Sequence, residues 1–165
     1  MLICLCGFMG CGKTTVGRIV ADALGCPFLD LDELVVKKAG KPIADLFALY
    51  GEGAFRKTEA DVLRATVKKY GESTAVLALG GGAVTTPESA ALLRESTLCI
   101  YLRASLDTVR QRLEGETAGR PLADDRLAER FALREPVYEE TAHVVVDTDG
   151  LSPEQVADEI IICCL

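Results

Sequence analysis

GFMGCGKT, residues 7–14, decides how the rest of the chain is read. Two glycines bracket four residues, and a lysine and a threonine follow, the pattern G-x-x-x-x-G-K-[ST]. Gly7 and Gly12 permit tight turns in which successive backbone N–H groups point inward. Those amides, with the N-terminus of a following helix, make a cradle for a phosphate chain. Gly10, Cys11, Gly12, Lys13, Thr14 and Thr15 are therefore expected to bind a nucleoside triphosphate. Lys13 reaches the β- and γ-phosphates, and the Thr14 hydroxyl ligates Mg²⁺.

The flanks agree. Met1 to Cys6 is a short apolar run of the kind that forms a strand buried on both faces. After the loop, Val16, Ile19, Val20 and Ala23 recur at helical spacing, and Gly25 is a stop signal. Further strands are expected over 26–31, ending in DLDE, and over 74–79, closed by Gly80-Gly81-Gly82. Two more fall at 97–102 and 142–146. Helices are expected over 43–49, 55–69, 87–95, 106–113, 126–140 and 153–163, with Gly51 and Gly53 separating the first two. Residues 114–125 carry Gly, Pro, Thr and charges with little periodicity and read as a mobile loop. Strands alternating with helices predict an α/β fold, a parallel sheet covered on both faces, in one domain spanning 1–165.

Composition narrows the class. The 165 residues are 49% hydrophobic, which excludes disorder. No apolar run approaches the roughly 18 residues of a membrane span. Net charge is −7 with no Lys/Arg-rich run, which argues against a nucleic-acid partner. An acidic protein that binds an anion must gather its cations locally. The first motif begins at Gly7, leaving no leader ahead of it, so a cytoplasmic location is expected. The seven cysteines lack metal or disulfide spacing and read as free thiols. Cys11 stands apart, because its place before a helix N-terminus tends to lower a thiol pKa. The absence of an N-K-x-D base-recognition motif counts against a GTPase.

LDLDELV at 29–35, GEGAFRKTE at 51–59, ALGGGAV at 78–84 and GRPL at 119–122, followed by Arg134 in ALREPVYEE, resemble the shikimate kinases when taken with the first loop. The resemblance runs from residue 3 to about 160. It implies a three-layer P-loop NTPase fold of the nucleoside-monophosphate-kinase type. The sheet would have five parallel strands in the order 2-3-1-4-5, with helices on both faces, a substrate-binding helical region near 31–62 and a mobile lid near 114–125. The implied reaction is transfer of the γ-phosphate of ATP, with Mg²⁺, to the 3-hydroxyl of shikimate, in the pathway to chorismate and the aromatic amino acids.

The resemblance also implies roles. Arg56 and Arg134 hold the substrate carboxylate, with Glu59 orienting Arg56 from helical i,i+3 spacing. Asp32 faces the attacking hydroxyl, and Asp30 holds the metal together with Thr14. Residues i and i+2 of an extended segment share a face, so one cleft could use both aspartates. Gly80, Gly81 and Gly82 let substrate approach the backbone. Arg120 is the lid arginine that closes on the phosphates, making Lys13, Asp32 and Arg120 the catalytic set. Arg112 and Pro153 sandwich the adenine. Shikimate and ATP are the expected partners, and a monomer is expected.

Blander readings stand beside these. Asp30 could be only a helix N-cap, and Arg126 and Arg130 a solvated stripe. Tyr138 reads as a packing residue and His143 as structural. Two rivals remain open: another small-molecule kinase of this fold, for gluconate or a nucleoside monophosphate, and a non-catalytic nucleotide-binding regulator. Lys13, Asp30 and Arg56, which decay usually removes, are all present.

Overall fold

The structure is a computed structural model that describes residues 1–116 and 125–165. Its centre is a sheet of five parallel strands: β1 (Leu2–Cys6), β2 (Phe28–Asp30), β3 (Ala75–Ala78), β4 (Leu98–Arg103) and β5 (Val144–Asp147), in the order β2-β3-β1-β4-β5. That is the order the resemblance implied. Every residue of β1 and β3 is buried, as continuous apolar runs require when both faces are covered. The edge strands β2 and β5 are partly open.

The helices are α1 (Lys13–Leu24), α2 (Leu31–Ala39), α3 (Ile43–Tyr70), α4 (Pro87–Ser96), α5 (Leu106–Glu116), α6 (Asp125–Thr141) and α7 (Pro153–Cys164). Helix α1 packs on α7, while α4 packs on α3 and α6. Right-handed crossovers put the α1 connection and the α4 connection on opposite faces. The chain therefore leaves neighbouring strands β1 and β3 in opposite directions, and a crevice opens at their carboxyl ends. Open α/β sheets bind their ligands at such places.

Three local readings are corrected. The second strand stops at Asp30, not Leu31, because the Asp30 side chain caps a helix: its Oδ1 accepts from the backbone N–H of Asp32 at 2.9 Å and of Glu33 at 3.3 Å. Asp30 and Asp32 are thus not two residues of one extended segment. The break between the helices at 43–49 and 55–69 lies at Gly51 alone (φ 81°, ψ 172°); Gly53 is helical, and the two arms form one kinked helix, α3. Residues 114–116, expected in the loop, continue α5. The rest of the expected lid, including Arg120, lies outside the described residues, apart from Asp125, which starts α6.

His143 is structural, as expected. Its Nδ1 accepts from the Cys99 N–H at 3.0 Å, so Nε2 carries the proton and donates to the Arg94 carbonyl at 2.9 Å. All seven cysteines are unpaired.

Candidate active site

The loop after β1 is shaped by glycines. Gly10 and Gly12 have φ of 75° and 97°, and a Cβ on Gly7 would stand 2.7 Å from the Leu102 carbonyl oxygen. Helix α1 starts at Gly12 with no side-chain cap and no acidic residue in its first turn. Its N-terminal amides therefore face the crevice without a protein anion to satisfy them. Lys13 Nζ lies over this loop, donating to the carbonyls of Gly7 at 2.6 Å and Phe8 at 3.1 Å. Cys11 is buried beneath it at 2% exposure, its Sγ 3.8 Å from Lys13 Nζ.

Asp30 serves two neighbours. While Oδ1 caps α2, Oδ2 accepts from the Thr14 hydroxyl at 3.4 Å. One oxygen thus makes the N-cap of the blander reading, and the other lies beside Thr14, the residue with which the sharper reading has Asp30 hold the metal. Thr14 Oγ1 and Asp30 Oδ2 are hard oxygen donors at the mouth of the phosphate loop. Mg²⁺ takes such donors, with one or two carboxylates completed by phosphate oxygens and water, so this pair fits it.

Across the crevice, Asp32 sits in the first turn of α2, half-buried. Burial pushes its carboxyl above the usual range, and the negative charge of Asp30 adds to this; Lys13 and Arg56 oppose it. Arg56 and Glu59 rise from α3 as an ion pair of 2.7 Å. Glu59 is 2% exposed, and burial raises its pKa against the pull of Arg56. Arg56 Nε and Glu59 Oε2 are buried without a hydrogen-bond partner among the described residues, so polar capacity is left over here.

At Gly80, Gly81 and Gly82 the backbone is approached by more than a substrate. The protein's own side chains already press on this backbone. A Cβ on Gly80 would meet Asp32 Oδ1 at 2.8 Å and Glu59 Oε2 at 3.1 Å; on Gly82 it would meet Arg56 Nη2 at 2.1 Å; on Gly81, Arg134 Nη1 at 3.4 Å. The glycine run is the floor on which two carboxylates and two guanidiniums converge. Arg134 comes from α6, half-buried, its guanidinium 5.9 Å from the centre of the Phe8 ring, and desolvation lowers its pKa. Arg126 and Arg130, on the same helix, are exposed.

On the far side of the loop, a cavity of about 250 Å³ lies between Gly10–Gly12, Arg112 and Pro153, with Thr148, Leu151 and Val156 beneath. Arg112 Nη1 donates to the Gly10 carbonyl at 3.1 Å. Arg112 and Pro153 thus share one cavity. Thr148 and Leu151 were missed because they lie between β5 and α7, where no motif marks them. Also missed was the contact of Tyr138, whose hydroxyl donates to the Gly81 carbonyl. Its i,i+4 spacing from Arg134 was the available signal.

A sequence model of the shikimate kinase family matches residues 9–165. The chain belongs to that family. A shikimate kinase from Enterococcus faecalis is 42% identical over 164 residues, covering 96% of this chain and 95% of that protein. One from Geobacter sulfurreducens is 42% identical over 163 residues, covering 96% and 87%. Among solved structures, the shikimate kinase of Acinetobacter baumannii in complex with shikimate matches with a TM-score of 0.88 at 32% identity, over 99% of this chain and 92% of that one. A gluconokinase from Sinorhizobium meliloti shares the fold, with a TM-score of 0.60 at 20% identity over 97% and 89%. As a member of the shikimate kinase family the chain is an ATP-dependent kinase.

Proposed function

We propose that this chain transfers the γ-phosphoryl group of ATP to the 3-hydroxyl of shikimate, giving shikimate 3-phosphate and ADP. The observation that carries the reading is the meeting, at one sheet edge, of a phosphate loop with a glycine floor ringed by Asp32, Arg56, Glu59 and Arg134. Shikimate offers one carboxylate and three hydroxyls. Two guanidiniums suit the carboxylate, and an ionised carboxyl suits a hydroxyl.

In the proposed reaction, Arg56 and Arg134 fix the acceptor by its carboxylate, with Glu59 holding Arg56 in place. Asp32 accepts the hydroxyl proton as that oxygen bonds to the γ-phosphorus. The bond from phosphorus to the bridging oxygen breaks in line, and the electron pair leaves on ADP. Lys13 exchanges its two loop carbonyls for phosphate oxygens, and the α1 amides hold the rest of the chain. Thr14 and Asp30 would hold Mg²⁺, which neutralises charge on the β- and γ-phosphates. Arg112 and Pro153 take the adenine in their cavity. Arg120 is assigned to the developing charge on the transferred group, from the family motif alone.

A monomer is expected. Seven unpaired thiols suit a reducing compartment, and we place the enzyme in the cytoplasm. Among the described residues no helix is long and apolar enough to cross a membrane.

The test is ADP release from ATP and Mg²⁺ with shikimate, gluconate, AMP, CMP or no acceptor. Release that depends on shikimate alone is expected. Dependence on another acceptor would overturn the shikimate assignment, and nucleotide binding without release would favour the regulator.

A further inference from the structure

Tyr138 has the surroundings of more than a packing residue. It is 1% exposed, and its ring lies 5.1 Å from that of Tyr101. Its hydroxyl donates to the carbonyl of Gly81, and the Arg134 side chain, one turn earlier on α6, comes to the same glycine. The phenol proton is committed to the Gly81 carbonyl, so the Tyr138 oxygen turns a lone pair, not a donor, toward the guanidinium beside it. The Tyr138–Gly81 hydrogen bond joins the two elements that make the acceptor cleft, helix α6 and the loop after β3. Gly81 has no side chain to fill the gap, and Arg134 Nη1 already lies 3.4 Å from where a Cβ would be. Burial holds the phenol protonated far above neutral pH, so the donor persists wherever the enzyme works.

We infer that Tyr138 is a positioning residue for the acceptor: its hydroxyl sets the distance between the Arg134 guanidinium and the glycine floor on which the acceptor carboxylate is read. Without it, Arg134 keeps its charge but loses the polar oxygen beside it, and the Gly81 carbonyl loses a buried donor. The inference rests on the acceptor reading given above.

The experiment is calorimetric titration of shikimate into the ATP-free protein, with KM values for shikimate and ATP measured alongside, for wild type, Tyr138→Phe, Arg134→Ala, the double variant and Tyr101→Phe. Tyr138→Phe should weaken shikimate binding by about 5- to 30-fold, the effect of a lost hydrogen bond with a buried group left unpaired. The KM for ATP should stay within about 2-fold. In the Arg134→Ala background, Tyr138→Phe should add little, because the positioned group is gone. Tyr101→Phe, which removes the neighbouring hydroxyl and keeps the Tyr138–Gly81 hydrogen bond, should bind shikimate as wild type does.

Equal losses for ATP and shikimate, full additivity with Arg134→Ala, or equal effects of the two tyrosine variants would make Tyr138 a packing residue and overturn the inference. Failure of Tyr138→Phe to fold would do the same. If wild type itself bound no shikimate, the acceptor reading would fall and take the inference with it. Wild-type binding with an unchanged Tyr138→Phe would overturn the inference alone.

Discussion

Asp32 shows most clearly how one residue is held between folding and chemistry. Its carboxyl is raised by burial first and by Asp30 second. A raised carboxyl binds a proton more readily in the folded chain than in the unfolded one. Its contribution to stability is present below the ordinary carboxylate pKa, near 3.9, and is lost as pH rises through the raised folded value. At neutral pH the ionised Asp32 therefore costs stability, yet accepting a hydroxyl proton requires that ionised form. Asp32→Asn should raise the melting temperature at pH 7 by about 2–4 °C for each kcal/mol relieved while cutting turnover by about 10²- to 10⁴-fold. In wild type, the acid limb of kcat/KM should lie above that of an exposed aspartate, and residual activity in the variant should lack it. Calorimetry and a pH–rate profile decide both halves. An acid limb that survives in Asp32→Asn would belong to another group, with Glu59, also raised by burial, the first to examine.

At the scale of the element, what the sequence made legible was whatever local chemistry controls. The all-apolar β1 and β3, the glycine loop and the proline start of α7 were each readable from a handful of neighbouring residues. Asp30 was harder: Leu29-Asp30-Leu31 alternates like a strand, and only the cap formed by the Asp30 carboxylate turns Leu31 into helix. Gly80–Gly82 were read as room for substrate, and a sequence cannot show that side chains from α2, α3 and α6 converge on the same backbone. The start of α7 is a local device with a distant use. Ser152 and Gln155 form a reciprocal capping box, at 2.8 and 3.1 Å, immediately around Pro153 in the nucleotide cavity. Ser152→Ala should cost about 1 kcal/mol, a fall in melting temperature of about 2–4 °C. It should also raise the KM for ATP a few-fold while leaving that for shikimate unchanged. An unaltered KM for ATP would mean that Pro153 is held in place by its packing without the cap.

For the molecule as a whole, the net charge of −7 makes the placement of cations informative. Arg103 and Arg64 are spent on surface carboxylates, Asp147 with Glu139 and Asp61 respectively. Lys13, Arg56, Arg112 and Arg134 are instead gathered along the carboxyl edge of the sheet, beside loop carbonyls, the glycine floor and the buried Glu59, with Arg56 also reaching the exposed Glu52 at 3.8 Å. They also stand on two different scaffolds. Lys13 and Arg112 belong to the nucleotide side, built from the β1 loop, α1, α5 and α7. Arg56 and Arg134 belong to the acceptor side, built from α3, α6 and the loop after β3. Because the two pairs of cations stand on different elements, losses on the two sides should separate. Arg56→Ala and Arg134→Ala should each weaken shikimate binding by about 10- to 150-fold, the range of a charge-assisted hydrogen bond. Nucleotide affinity should change little. Lys13→Ala should behave in the opposite way, cutting turnover by about 10²-fold or more while shikimate binding to the nucleotide-free protein is kept. Calorimetric titration of each ligand into each variant gives the comparison. A larger loss for ATP than for shikimate in Arg56→Ala or Arg134→Ala would move that arginine to the nucleotide side. The acceptor carboxylate would then rest on the remaining arginine alone, with the unpartnered Glu59 oxygen beside it left to find a substrate hydroxyl.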